Sequence, residues 1–203
     1  MLNKISITSQ VAHFGKPYTS KYQRTYELPP PSTIIGILKV IFGEDINNFT
    51  FGYSFKYNSK FEDVVTVHKV WLEKIKKINV SRNAKDIPSD WTSREYLYNC
   101  KLNIYTNIEK NILMNYILCL GKSNCLARVH FPIVKTNDYE NNLSDQYVDV
   151  ESTEKGIISS FNVFSKYNKE IGMFDTKYKL LKHVKNYKGL YLWRFKDGDI
   201  YVN

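Results

Sequence analysis

Apolar and polar positions alternate along this chain with two different periods. Lys4-Ile-Ser-Ile-Thr8 alternates residue by residue and predicts a first strand. Ile34, Leu38, Ile41 and Phe42 recur at helical spacing instead, predicting a helix from about Ser32 to Phe42. Pro29 to Pro31 precede it, hold the chain extended and supply no backbone donors. Ser32 is then placed to cap the first turn, and Gly43 suits a left-handed position after the last. The abundance of Ile and Val leaves a buried strand as the alternative for this run. Phe49, Phe51, Tyr53, Phe55 and Tyr57 fall on one face of a further strand. Aromatics at period two predict a core face; a platform for stacking nucleic-acid bases is the alternative.

Asp63 to Trp71 reads as a third strand. Residues 72–92 break the pattern with Lys74, Lys76, Lys77, Arg82 and Lys85, which predicts a basic insertion, a loop or thumb. Tyr96 to Tyr105 returns to strand. From Asn107 onward, Ile108, Ile112, Leu113, Tyr116, Ile117 and Leu120 share a helical face, with Gly121 closing a second helix. Ala127, Val129, Phe131 and Ile133 make another strand, ended by the polar residues 135–146. Strand, helix, strand, strand, helix, strand is an α+β, ferredoxin-like (RRM-like) βαββαβ plan. It occupies residues 1–134, with the insertion at about 72–92. Residues 135–203 read as a small β-rich C-terminal appendage. Its clearest element is a hairpin, Tyr191 to Phe195 and Ile200 to Val202, about the turn Asp197-Gly198.

Composition narrows the function classes. The 203 residues include 43% hydrophobic ones, enough for a core, and no apolar run long enough to span a membrane. Met1 to Gln10 lacks a signal-peptide layout. Three cysteines, Cys100, Cys119 and Cys125, lack metal spacing, and Cys119 reads as core on the second helix; a reduced, cytoplasmic setting follows. The net charge of +9 favours an anionic partner. Lysines outnumber arginines 24 to 5, a bias that an A/T-rich genome alone would produce. Distribution therefore tells more than the total. Residues 165–196 carry nine bases and two acids, interleaved with Phe174, Tyr178, Tyr187, Tyr191 and Trp193. Bases with aromatics suit single-stranded nucleic acid, by phosphate neutralisation and stacking; a solvated charged surface is the alternative.

Candidate chemistry is sparse. The start of the proline-preceded helix, beside Lys16, Lys21 and Arg24, forms a phosphate-binding corner if its first N–H groups are free. Gly121-Lys-Ser123 resembles the end of a nucleotide-binding P-loop, but Tyr116 stands where the upstream glycine belongs and the segment follows a helix. ATP binding is therefore not expected. No His/Cys/Asp/Glu group has metal-ligand spacing, so neither metal nor cofactor is expected. His13 differs from His68, His130 and His183 in lying near Lys16, Tyr22 and Tyr26. Histidine, tyrosine and lysine meet the needs of a metal-independent ribonuclease.

Ala12-His-Phe-Gly-Lys-Pro17, Tyr22-Gln-Arg-Thr-Tyr26 and Leu28-Pro-Pro-Pro-Ser-Thr-Ile-Ile-Gly-Ile-Leu38 resemble the N-terminal signature of CRISPR-associated protein family five, of the RAMP superfamily. Ser93-Arg-Glu-Tyr-Leu-Tyr-Asn99 and Cys119-Leu-Gly-Lys-Ser-Asn-Cys-Leu-Ala-Arg-Val129 agree with it in order and spacing. The resemblance covers roughly residues 1–134. Gly15 stands where many relatives carry Arg. The resemblance implies a non-catalytic subunit of the type I Cascade interference complex, most like type I-B. Such a subunit caps the 5′ handle of the CRISPR RNA. It docks the backbone and large subunits in antiviral defence and meets target DNA only through the complex. Some relatives are instead endonucleases that process precursor CRISPR RNA, which is the alternative. The RNA-binding residues so implied are Lys16, Tyr22, Arg24 and Ser32, then Arg94 and Tyr96, then Lys122, Ser123 and Arg128, with Arg82 and Lys85 on the thumb.

Overall fold

The computed structural model describes residues 1–17, 19, 21–68, 89–112, 117–141, 143–168 and 173–202. Its main sheet holds β1 (Leu2–Ala12), β2 (Tyr22–Gln23), β3 (Asn48–Lys56), β4 (Ser59–His68), β5 (Ser89–Thr106), β6 (Ala127–Thr136), β10 (Trp193–Lys196) and β11 (Asp199–Val202). The strand order is β11-β10-β3-β5-β1-β6, with β2 and β4 also pairing β5. All of these pairings are antiparallel except β2 with β5. A second sheet, ordered β7-β9-β8, is built from β7 (Leu143–Asp149), β8 (Ile157–Asn168) and β9 (Met173–Lys188). The chain is thus α+β and mostly antiparallel sheet.

One α-helix, α1 (Pro31–Phe42), lies among the described residues. It forms because Ile34, Ile35, Ile37, Leu38, Ile41 and Phe42 bury one broad face against Ile5 and Ile7 of β1 and the aromatics of β3. Its start differs from the sequence expectation. Pro30 is the N-cap residue and Pro31 opens the helix, with no side-chain cap. Proline suits this first position because its fixed φ is already helical and its missing N–H was unpaired anyway. Gly43 does adopt positive φ, at 102°, and its N–H donates to the Lys39 carbonyl.

The aromatic strand is a core face. Phe49, Phe51, Tyr53 and Phe55 of β3 are all buried, and Tyr57 packs against them partly buried. The C-terminal hairpin extends the same sheet: Trp193 pairs with Phe51 and Phe195 with Phe49. Asp197 (φ 48°) and Gly198 (φ 83°) make its turn, as the Asp-Gly pair predicts.

The expected second helix is not found among the described residues. Residues 107–112 and 117–120 are non-helical; Leu113 and Tyr116 lie outside the described residues. The apolar spacing there does not mark one face, because Ile108, Leu118 and Leu120 are buried while Ile117 is 80% exposed. Cys119 is accordingly half-buried on a bridge to Leu126, not on a helical stripe. Most of the basic insertion, with Arg82 and Lys85, also lies outside the described residues. Its last residues are strand, since β5 begins at Ser89. Phe131 leaves the core face where the β1–β6 register shifts between Ser6–His130 and Lys4–Val134, and it is exposed. No helix among the described residues is long and apolar enough to cross a membrane.

Candidate nucleic-acid interface

Three separated segments meet at one corner of the main sheet. After β1, residues 13–16 fold against residues 24–26. Tyr26 N–H donates to Phe14 O (2.8 Å), Lys16 N–H to Arg24 O (3.0 Å), and Phe14 N–H to Thr25 Oγ1 (2.8 Å). Strand β2 ties this clip to β5 through Tyr22–Ser93 and Gln23–Arg94. The segment 119–125 closes the corner: His13 N–H donates to Leu120 O (3.2 Å), and Asn124 Nδ2 to the Tyr96 hydroxyl (3.1 Å).

Glu95 organises the clip. Its carboxylate accepts from Thr25 N–H (2.9 Å) and the Tyr22 hydroxyl (3.0 Å), and Lys60 Nζ lies 3.9 Å away. Burial alone would raise its pKa. The Thr25 and Tyr22 hydrogen bonds and the Lys60 and Lys16 charges outweigh that, leaving it below the usual carboxylate value. Its backbone carbonyl bonds His13 Nδ1 at 2.7 Å. The single Tyr22 O–H is shared between Glu95 and Glu62 (2.5 Å); the Glu62 bond raises the phenol's pKa, helped by burial and the Glu95 bond.

A cleft of about 440 Å³ opens here, lined by His13, Gly15, Tyr26, Pro30, Ser32, Thr33, Gly121, Lys122, Ser160 and Tyr178. Two buried tyrosines hold its proline wall: Tyr53 donates to Pro29 O (2.7 Å) and Tyr147 to Leu28 O (3.2 Å). The second sheet closes it, with Tyr26 packed on Phe161 at 4.9 Å between ring centres. Cations lie over aromatic faces nearby: Lys16 over Tyr26 (5.4 Å), Arg24 over Tyr22 (5.5 Å) and Lys21 over Trp91 (5.8 Å). Phe61, Tyr98 and Trp91 are exposed on the adjoining β4–β5 ribbon, with Phe61 stacked on Tyr96 at 5.5 Å. The helix start contributes less than its sequence suggests, since Thr33 and Ile34 N–H groups both turn back to the Pro30 carbonyl.

The cleft gathers Ser32 and Lys122 of the expected residues, and exposed Lys16 and Arg24 lie on the clip beside it. Arg94 and Tyr96 do positioning work. Arg94 donates to Gln23 Oε1 (2.8 Å) and to the Tyr96 hydroxyl (3.2 Å), and Tyr96 is only 3% exposed. Ser123 is exposed outside the cleft lining, and its carbonyl accepts from the Cys119 thiol. Arg128 sits elsewhere, on β6 in a separate cleft with Thr8 and Asn99. Sequence reasoning missed Glu62, Glu95, Ser160 and the wall-forming tyrosines. Only Glu95 had a local signal, its place inside the Ser93-Arg-Glu-Tyr96 motif.

His13 is 1% exposed, and burial lowers its pKa; the Glu95 carbonyl bond opposes this, while Arg94 and Lys122 reinforce it. The ring is therefore neutral at neutral pH. With Nδ1–H donated to Glu95 O, Nε2 is the basic nitrogen, and Gly15 lies beside it. Among the described residues no group of His, Cys, Asp and Glu could hold a metal ion.

A solved chain entitled "CRISPR RNA-guided surveillance complex" superposes with a TM-score of 0.53 at 11% identity, covering 91% of each chain. Another, "Crystal Structure of CRISPR-associated Protein", gives 0.44 at 11% identity over 95% of this chain and 96% of that one. The first likeness is one of fold. No curated protein matches the chain. The model of the family described as CRISPR-associated protein (Cas_Cas5) matches residues 4–107, just over half of the sequence, and the chain belongs to that family.

Proposed function

We propose that this protein is a CRISPR RNA-binding subunit of a type I Cascade complex, non-catalytic, with the 5′ handle of the guide held at the cleft beside α1. The observation that carries this reading is a cleft lined by Lys122, Tyr26 and Tyr178, with Lys16 over the Tyr26 ring and Arg24 on the adjoining clip over Tyr22. Phosphates need the cations for register, and unstacked bases need the aromatic faces. The ferredoxin-like plan belongs to the same reading, supported by the order β3-β5-β1-β6 and the α1 crossover between β1 and β3. So does docking of the backbone and large subunits, with exposed Ile158 and Leu180 on the second sheet available to a protein neighbour.

The test uses the purified protein, labelled repeat RNA from its own locus, and EDTA. Binding without cutting is expected, with preference for the 5′ handle over a scrambled sequence. Lys16→Ala with Arg24→Ala should weaken it about tenfold or more and lower the log–log salt slope by about 1.4, two contacts' worth for a single strand. An unchanged slope would remove the clip from the site. One observation favours a second reading, a metal-independent endoribonuclease: neutral His13 lines the cleft with Lys122. A discrete cut in EDTA, abolished in His13→Asn, would replace the first reading with the second.

A further inference from the structure

We propose that the sheet face opposite α1 is a second, sequence-independent surface for the phosphate backbone of single-stranded nucleic acid, centred on Lys56, Lys101 and Arg128. The strand registers place Lys56 opposite Lys101, Lys101 opposite Thr8, and Thr8 opposite Arg128. Directly paired residues point to the same side, so these four form one row across β3, β5, β1 and β6. Three strand spacings of about 4.8 Å make the row roughly 14 Å long. Ile5 and Ile7 of β1 face the core under α1; Thr8 and its row face the other way.

The row is electrostatically unfavourable as it stands. Like charges directly opposite one another destabilise a sheet. Several other cations of the molecule find acids, among them Lys4 with Asp138, Lys60 with Glu27 and Glu95, and Lys135 with Glu109. Lys56, Lys101 and Arg128 have no acidic partner among the described residues, and all three are exposed. The next row, Asn103, Ser6 and His130 with the buried Ser54 at its end, is wholly polar and pre-ordered. Ser6 Oγ donates to Asn103 Oδ1 (2.9 Å), and His130 Nε2 lies 2.7 Å from Thr8 Oγ1. Beside Arg128 a cleft of about 380 Å³, lined by Gln10 and Asn99 and also by the exposed Leu126 and by Ala127, continues the surface.

Polyanion and acidic protein both satisfy the charge. The two rows contain no apolar side chain, whereas protein interfaces rest on apolar and aromatic anchors at their centre. A phosphate backbone needs spaced cations and neutral hydrogen-bonding groups, which is what the rows supply. Neither of the two clefts described above is lined by Lys56 or Lys101, so this surface neutralises charge without selecting sequence. It stands independently of the cleft beside α1.

The test measures binding of the whole protein to labelled oligouridine and to repeat RNA across a salt series. Lys56→Gln, Lys101→Gln and Arg128→Gln together should weaken binding to both RNAs alike and lower the salt slope by about 2, at roughly 0.7 per contact. Preference for the 5′ handle should survive, whereas Lys16→Ala with Arg24→Ala should weaken binding to the 5′ handle more than to oligouridine. The two surfaces therefore fail separately. If the triple variant does not fold, Lys101→Thr alone should lower the slope by about 0.7. Unchanged affinity and slope would overturn the proposal, as would loss of an acidic protein partner with RNA binding intact.

Discussion

Gly121→Ala should lower the melting temperature by about 6–20 °C. Gly121 has φ +92°, and a Cβ there would lie 1.9 Å from the His13 carbonyl oxygen and 2.8 Å from its carbon. Both obstacles are backbone, so no side chain can swing aside. Left-handed strain of roughly 1–2 kcal/mol adds to forced separation of the two segments that close the cleft. A total on the order of 3–5 kcal/mol exceeds the usual cost of a substitution and reaches the exceptional class only at its upper end. At about 2–4 °C per kcal/mol for a chain of this size, the shift is large in any thermal melt. Gly36→Ala is the control. Gly36 sits mid-helix in α1, and a Cβ added there would meet nothing within 4 Å, so alanine should stabilise by about 0.5–1 kcal/mol. Equal melting temperatures for Gly121→Ala and the parent would show that the 119–125 segment does not close on His13 as described. RNA affinity should fall with Gly121→Ala even below the melt, because Lys122 moves with its neighbour.

Glu95→Ala should cost about 2–4 kcal/mol. Thr25 is fully buried, and its N–H loses its acceptor; Tyr22 and Lys60 lose a partner each. Leaving a buried donor unmade costs its full desolvation, and bonds to a charged acceptor are the stronger kind. Glu95→Gln keeps an acceptor oxygen and should fall between. The pH dependence separates charge from shape. Because the folded carboxyl titrates below its ordinary value of 4.5, its contribution is complete above that pH. It is lost as pH falls through the lowered folded value. Melting temperature measured from neutral pH down to pH 3 should therefore drop more steeply for the parent than for Glu95→Gln. Parallel curves would assign the Glu95 contribution to geometry alone. The clip 13–26 carries Lys16 and Arg24, so Glu95→Ala should weaken RNA binding although Glu95 repels phosphate. A gain in affinity would mean that charge outweighs positioning.

Local patterns were legible in the chain wherever the determining contacts are close in sequence. The apolar stripe from Ile34 to Phe42 made α1, because one amphipathic face suffices to define a helix against any core. The alternating aromatics of β3 made a core face, and Asp197-Gly198 made a hairpin, because a type I′ two-residue turn needs positive φ at both positions. The family was legible too, from three short motifs in order. Spacing misled between Asn107 and Leu120, where the described apolar residues share no common face: Ile108 and Leu120 are buried and Ile117 is exposed. Ser32 misled as a cap, because Pro31 fills the first helical position itself.

Tertiary structure alone decided which strands are neighbours, and that choice made both surfaces. Alternation states that Lys56, Lys101, Thr8 and Arg128 point away from the core. Only the order β3-β5-β1-β6 sets them in one row. Glu95 is one residue of a long strand until β2 and β4 pair on it and bring Thr25, Tyr22, Glu62 and Lys60 to its carboxylate. Lys16, Arg24 and Lys122 are spread over more than a hundred residues and share a corner because the 119–125 segment folds back onto His13. Periodicity reports the direction of a side chain, a property of its own backbone. Proximity across the sheet depends on long-range pairing, which no local pattern encodes.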